Sequence, residues 1–233
     1  MHLAKRSLLL IRHGQSEWNA VKRWQGIADS PLTDLGRRQA ELIGRTLASD
    51  PEVQISRVAA SDLSRAADTA AIIARVLGLP EVIEDSRLRE ADAGPWQGMT
   101  PGEIAEAWPG FLEEHRRPVG FETAESVIVR ATQACTDILR GATEDGLGSA
   151  LAVTHSGLIR VLRRHLGAVD EAVPNLSGVW VHLGDGDELN LGRSFALEWL
   201  AAGAPDGPGE DPGEAAVARG TRASPATPRG PVG

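Results

Sequence analysis

Two histidines, two arginines and a glutamate stand at, or a few residues beyond, the ends of short apolar runs in this chain. In "SLLLIRHGQSEWN" the run ends in Arg12, His13 and Gly14. Two neighbouring groups that can both be cationic repel each other, so this pairing asks for an anion between them. Arg65 follows "VAASDLS", Glu90 follows "VIEDSRLR" and His155 follows "ALAVT". Such a set suits phosphoryl transfer, where charge spreads over three equatorial oxygens and catalysis is mainly positioning and electrostatic stabilisation. The planar fork of arginine grips phosphate oxygens at two points, which fits Arg12 and Arg65. A neutral imidazole, with a reference pKa of about 6.5, is a competent nucleophile near pH 7, and His13 is expected in that role. His155 opens a helix, where backbone N–H groups already favour an anion, and adds a second donor. Glu90 is expected to protonate the leaving oxygen and then to take a proton from the attacking water.

For these residues to meet, the runs before them must be neighbouring strands. "LLLI", "VAA", "EVIE" and "ALAVT" read as strands buried on both faces. Between them, Thr33 caps a helix whose Leu35, Leu42, Ile43, Thr46 and Leu47 share one face. A second helix after Asp62 carries Leu63, Ala67, Ala70 and Ala74. Val127, Ala131, Ala134 and Ile138 mark a third, and Leu158, Ile159, Leu162 and Leu166 a fourth. Strands alternating with helices imply crossover units, hence an α/β fold: a three-layer α/β/α sandwich around a mostly parallel sheet. "GVWVHL" and "SFALEWL", joined through Asp185 and Gly186, read as an antiparallel hairpin at one edge. In open sheets of this kind ligands bind beyond the carboxyl ends of the strands, where all five chemical residues fall.

Composition narrows the function. The formal net charge of -8 argues against a nucleic-acid partner. One cysteine, Cys135, excludes an internal disulfide and fits a reducing, cytoplasmic setting. The early apolar run is too short for a membrane span or a signal-peptide core. No zinc framework or phosphate-loop signature is present, so neither a metal nor a cofactor is expected. Residues 1–200 form the expected folded domain. Residues 201–233, rich in Gly, Pro and Ala, cannot bury enough surface to offset their ordering entropy and are expected to be disordered.

The blocks "RHGQSEWN", "PLTDLGRRQA", "SDLSRAADTA", "LREADAGPWQG" and "VTHSGLIR" resemble, in order and from about Leu8 to Leu200, those of the histidine phosphatase superfamily, the phosphoglycerate-mutase-like clan. The resemblance implies a phosphohistidine intermediate on His13, phosphate binding by Arg12, Arg65 and His155, and proton donation by Glu90. It also implies that Ser16, Asn19, Gln25 and Gly26 of the first loop, with Ser156, line the substrate pocket. The chain departs from many members in having "HSG" where they have "HGG", and serine suits a helix N-terminus.

The expected function is hydrolysis of a small phosphorylated metabolite, independent of metal. The rivals are a cofactor-dependent phosphoglycerate mutase and a non-catalytic phospho-ligand module. Mutases of this type carry a long insertion between the acid block and the third helix, and only about thirty residues intervene here. Asp92 is the alternative acid to Glu90. The stretch from Thr100 to Glu125 reads either as a lid, with His115, Arg116 and Arg117 meeting a second anionic group, or as a solvated basic loop balanced by Glu113 and Glu114. Trp18, Trp24 and Trp96 either shape the pocket or pack the core. Oligomeric state is not legible.

Overall fold

Alternation along the first strand, β1 (Ser7–Arg12), builds two cores from one segment. Leu8 and Leu10 enter one core, Leu9 and Ile11 the other, and all four are fully buried. The computed structural model describes residues 7–144, 148–184, 186 and 188–196. The expectations for residues 201–233 lie outside the described residues.

Five further strands complete a mixed sheet: β2 (Ile55–Ala60), β3 (Val82–Glu84), β4 (Ser149–Thr154), β5 (Gly178–Leu183) and β6 (Leu189–Phe195), in the order β3-β2-β4-β1-β5-β6. The pairs β3–β2, β2–β4 and β4–β1 are parallel, while β5 runs antiparallel to both β1 and β6. Only β5 therefore runs against the rest, and the expected mostly parallel sheet is present.

The helices are α1 (Glu17–Ala20), α2 (Asp34–Ser49), α3 (Ser64–Leu77), α4 (Pro101–Ala107), α5 (Ala124–Glu144) and α6 (Ser156–His165). Thr33 caps α2 by accepting from the Gly36 N–H at 3.0 Å. Ala40, Ile43 and Leu47 of α2 pack with Ala66, Ala70 and Ile73 of α3 on one face of the sheet. Cys135, Ile138 and Leu139 of α5 pack with Ile159 and Leu162 of α6 on the other. A separate aromatic cluster of Trp24, Trp96, Trp108, Phe111 and Phe121, with Ile104 from α4, lies away from both faces. No described helix is long and apolar enough to cross a membrane.

Three local expectations are corrected. "EVIE" forms the edge strand β3, and Ile83 is 42% exposed because no strand covers that side. Leu42 is exposed too: the buried stripe of α2 runs through Gln39, Ala40, Ile43 and Leu47, one residue off the expected line. The hairpin's second strand begins at Leu189 and ends at Phe195 rather than spanning "SFALEWL", whose residues 197–200, like Asp185 of the turn, lie outside the described residues. Leu189 is buried against the core and pairs with Leu183, which sets the earlier register.

Candidate active site

Parallel pairing of β1 with β4 sets Arg12 opposite Thr154, so the next residues, His13 and His155, emerge side by side. The His13 N–H donates to the Thr154 carbonyl at 2.9 Å, and the imidazole rings lie 5.2 Å apart at 61°. The sheet register alone thus brings together two histidines far apart in sequence.

His13 is buried, and its Nδ1 lies 2.7 Å from the Gly14 carbonyl. A carbonyl only accepts, so Nδ1 carries the proton and the lone pair of the neutral ring is on Nε2. Burial, then the Arg65 and Arg12 guanidiniums, hold the His13 imidazole well below its ordinary range, outweighing the Gly14 bond that pulls upward. His155 is likewise held well below by burial first, with Arg65 and His13 adding to it. Neither His155 ring nitrogen has a hydrogen-bond partner among the described residues.

The arginines come from different elements. Arg12, at the end of β1, donates from Nη1 to the Val173 carbonyl at 2.8 Å. Arg65, in the first turn of α3, donates to the Ala28 and Gly26 carbonyls at 2.9 and 2.8 Å. Both are buried, and these bonds fix the guanidinium planes. Full burial rules out a helix-surface role for Arg65, and the nearby Asp62 and Asp68 pair instead with Arg89 and Arg37. Gly26 is held at φ +54, where a Cβ would stand 2.6 Å from the Ala93 nitrogen.

Glu90 sits across the N-terminus of α6. Its carboxylate accepts from the N–H groups of Ala91 at 2.9 Å, Gly157 at 2.9 Å and Leu158 at 3.1 Å. A Cβ at position 157 would come within 2.5 Å of Glu90 Oε1, which explains the glycine after "HS". Thr154 donates to the Leu88 carbonyl at 2.7 Å and thereby draws the Glu90 turn to the end of β4. Arg130 of α5 donates to the carbonyls of Arg87, Arg89 and Glu90, while Arg89 grips Asp62 through two bonds. Asp92 accepts from the Gly94 N–H at 2.8 Å, a turn contact.

A cavity of about 740 Å³ opens over these groups. Of the anticipated residues, Arg12, His13, Gln25, Gly26, Arg65, Glu90 and Ser156 line it. Ser16, Asn19 and His155 are not among its lining. Ser16 caps α1, and Asn19 bonds back to the Ser16 N–H in the same box. Ser16 reaches the cavity only through Gln25, to whose Oε1 it donates at 2.9 Å. Trp24 lines the cavity and Trp96 is buried behind it, whereas Trp18 is not in the wall. His115 and Arg117 line the wall, but Arg116 pairs with Glu114 at 2.8 Å and lies over Phe111.

Sequence reading missed several contributors. Asn175 donates to the His13 carbonyl at 2.8 Å, and Arg160, Arg164 and Asp170 complete the cavity wall. The spacing of Arg160 and Arg164 around the apolar stripe of α6 carried a signal, since both flank it on the Gly157 side. Asn175, in an irregular segment, carried none.

A buried neutral imidazole sharing one cavity with two buried guanidiniums and a carboxylate is built for an anionic ester: the fold and the site define a phosphate-processing enzyme. Comparison with known proteins agrees. The histidine phosphatase superfamily (branch 1) matches residues 8–179. The glucosyl-3-phosphoglycerate phosphatase of Mycolicibacterium vanbaalenii is 37% identical over 192 residues, covering 76% of this chain and 84% of that protein. The metal-independent phosphoserine phosphatase of Arabidopsis thaliana is 33% identical, covering 76% of each. A solved mycobacterial glucosyl-3-phosphoglycerate phosphatase in complex with VO3 superposes with a TM-score of 0.68 at 29% identity, covering 82% of this chain and 98% of that one. The chain belongs to the histidine phosphatase superfamily. It is a phosphoric monoester hydrolase.

Proposed function

We propose that the protein hydrolyses a small phosphorylated metabolite through a phosphohistidine on Nε2 of His13, without a metal ion. The observation that carries this reading is the His13 Nδ1 bond to the Gly14 carbonyl, which commits the lone pair to Nε2 on a ring lining the cavity. Nε2 attacks phosphorus in line as the ester P–O bond breaks, and Glu90, carrying a proton, delivers it to the leaving oxygen. Water then attacks the phosphohistidine, Glu90 takes its proton, and breaking the P–N bond restores His13. Arg12 and Arg65 meet the equatorial oxygens, and His155 donates a further hydrogen bond to them. Gln25, Gly26 and Ser156 border the same oxygens or the leaving group, with Ser16 and Asn19 supporting the loop. The cavity exceeds what one phosphate needs, leaving room for a small leaving group. Cytoplasmic location is part of the proposal, supported by the acidic composition and the single cysteine, Cys135.

The test is trapping of the intermediate. Rapid quench with labelled phosphoester should yield an acid-labile, base-stable phosphoenzyme in the presence of EDTA, and His13→Ala should abolish both it and turnover. A phosphoenzyme that survives His13→Ala would overturn the assignment.

A further inference from the structure

Every N–H of one guanidinium outside the cavity wall is committed. Arg130 of α5 does not line the cavity. Its Nη1 donates to the carbonyls of Arg87 and Arg89, and its Nη2 to that of Glu90 at 3.1 Å. Nε and Nη2 each donate to one oxygen of Glu122, both at 2.8 Å. An arginine side chain has five N–H donors, and here all of them have acceptors.

Three of those acceptors are main-chain carbonyls on the segment that carries the Glu90 carboxylate. Thr154 takes the Leu88 carbonyl, so side chains of α5 and β4 claim the carbonyls of four consecutive residues, 87–90. Glu122 extends the lacing to Asp92: it accepts from the Asp92 N–H at 3.2 Å, and its own N–H donates to the Asp92 carbonyl at 2.8 Å. Residues 89–93 belong to no helix or strand, so no regular ladder of main-chain bonds fixes them. The Arg130–Glu122 pair is shielded, each side chain being 18% exposed. Burial raises the Glu122 carboxyl, but the bonds from Arg130, Ser126 and the Asp92 N–H outweigh it and hold it below the usual range. One ion pair thus ties down the backbone on both sides of Glu90.

We propose that Arg130 is the positioning residue for the Glu90 proton donor, and that Glu122, at the cavity wall, orients Arg130 for that task. The carboxylate must meet the leaving oxygen in the first step and water in the second, and a misplacement of about 1 Å can cost about 10²-fold in rate. Lysine is no substitute: it keeps the charge but brings three donors without the planar fork. This rests on the hydrolytic reading above and adds a residue to its machinery.

The test reads phosphorylation of His13 by rapid quench with two esters. The alkoxide of 2-phenylethyl phosphate needs a proton to leave, and the phenolate of p-nitrophenyl phosphate does not. Arg130→Met should slow the alkyl ester by about 10²-fold and the nitrophenyl ester by no more than about threefold. Arg130→Lys should behave as Arg130→Met does. That separates placement from charge, because Arg130 also helps to hold His155 below its ordinary range, behind burial, Arg65 and His13. In a Glu90→Gln background Arg130→Met should slow neither ester further, since a displaced donor and a missing one are equivalent. Glu122→Gln should discriminate in the same direction to a smaller extent, and it replaces Arg130→Met should that variant fail to fold. Ile73→Val leaves a small void between α2 and α3, far from this network, and should not change the ratio of the two rates. Equal slowing of both esters by the Arg130 and Glu122 variants, full rates with Arg130→Lys, a further loss in the double variant, or a ratio moved by Ile73→Val would overturn the positioning role. Equal slowing by Glu90→Gln alone would instead overturn the proton-donor reading beneath it, so the two failures are distinguishable.

Discussion

Replacing Glu90 by glutamine separates its proton-transfer role from its structural one. The carboxylate accepts three backbone N–H groups, those of Ala91 and Leu158 on Oε1 and that of Gly157 on Oε2. In Glu90→Gln the remaining carbonyl oxygen serves Ala91 and Leu158, but the amide NH₂ then faces the Gly157 N–H, donor against donor. A hydrogen bond to a charged acceptor contributes about 1.5–3 kcal/mol, and partial exposure of both groups reduces the loss to about 1 kcal/mol. For a domain of this size that is a fall of about 2–4 °C in Tm. The fold should survive, so kinetics remain interpretable. With alkyl phosphates, whose alkoxide cannot leave unprotonated, kcat should drop on the order of 10²–10⁴. With p-nitrophenyl phosphate, whose phenolate leaves unaided, the drop should stay within about tenfold. Steady-state assays on both substrates, with a thermal melt of the same preparations, decide the matter. Equal losses on both esters would refute the proton-donor role, leaving Glu90 as a brace for the start of α6.

Stability should fall on mild acidification. His13 and His155 are held well below the ordinary imidazole range when folded and titrate near 6.5 when unfolded, so below that pH the unfolded chain binds protons that the folded one refuses. Urea unfolding in phosphate-free buffer should show stability level above about pH 7.5 and lower at pH 5.5, by up to about 1.4 kcal/mol per pH unit for each histidine; a midpoint that does not move would contradict the burial of neutral rings. Hydrolysis and mutase action part on 3-phosphoglycerate: phosphorus NMR should show free phosphate and no 2-phosphoglycerate, with 2,3-bisphosphoglycerate unable to switch on isomerisation. Interconversion of the two monophosphates faster than phosphate release would favour the mutase.

The end of the sheet where the chemistry collects was legible because each key residue lies at a strand end or within a few residues beyond one. His13 and His155 need only strand pairing to meet, and the β1–β4 register supplies it. Arg65 was harder to place: its position in the first turn of α3 is equally that of a surface cation, and only the Gly26 and Ala28 carbonyls show that it turns inward. Ser16 and Asn19, read as pocket lining, stand back from the cavity wall for a local reason. A serine and an asparagine three residues apart satisfy each other in a capping box, and this draws both side chains into the backbone of α1. The parts of the sheet that misled were those where burial is decided by neighbours: β3 has none on one side, and β6 begins where Leu189 finds the core. Arg130 was invisible because, besides Glu122, its partners are carbonyls of an irregular turn, which leave no pattern of residue types.

These differences in legibility follow a division within the site. The phosphate end is held by strand register and by side chains bonded to main-chain carbonyls, as with Arg12 on Val173 and Arg65 on Gly26. Such contacts depend on where the backbone runs, so substitutions elsewhere on the surface should leave them in place. The other end relies more on contacts between side chains: Arg164 beside Asp170, and Arg117 over three aromatic rings. Its charge and shape change with single substitutions that disturb neither β1 nor β4. A site divided in this way lets the far wall change without disturbing the strand ends. That separation is the physical reason why the reaction type could be read from a handful of residues near strand ends, whereas the far wall, made of side chains brought together only by the fold, could not.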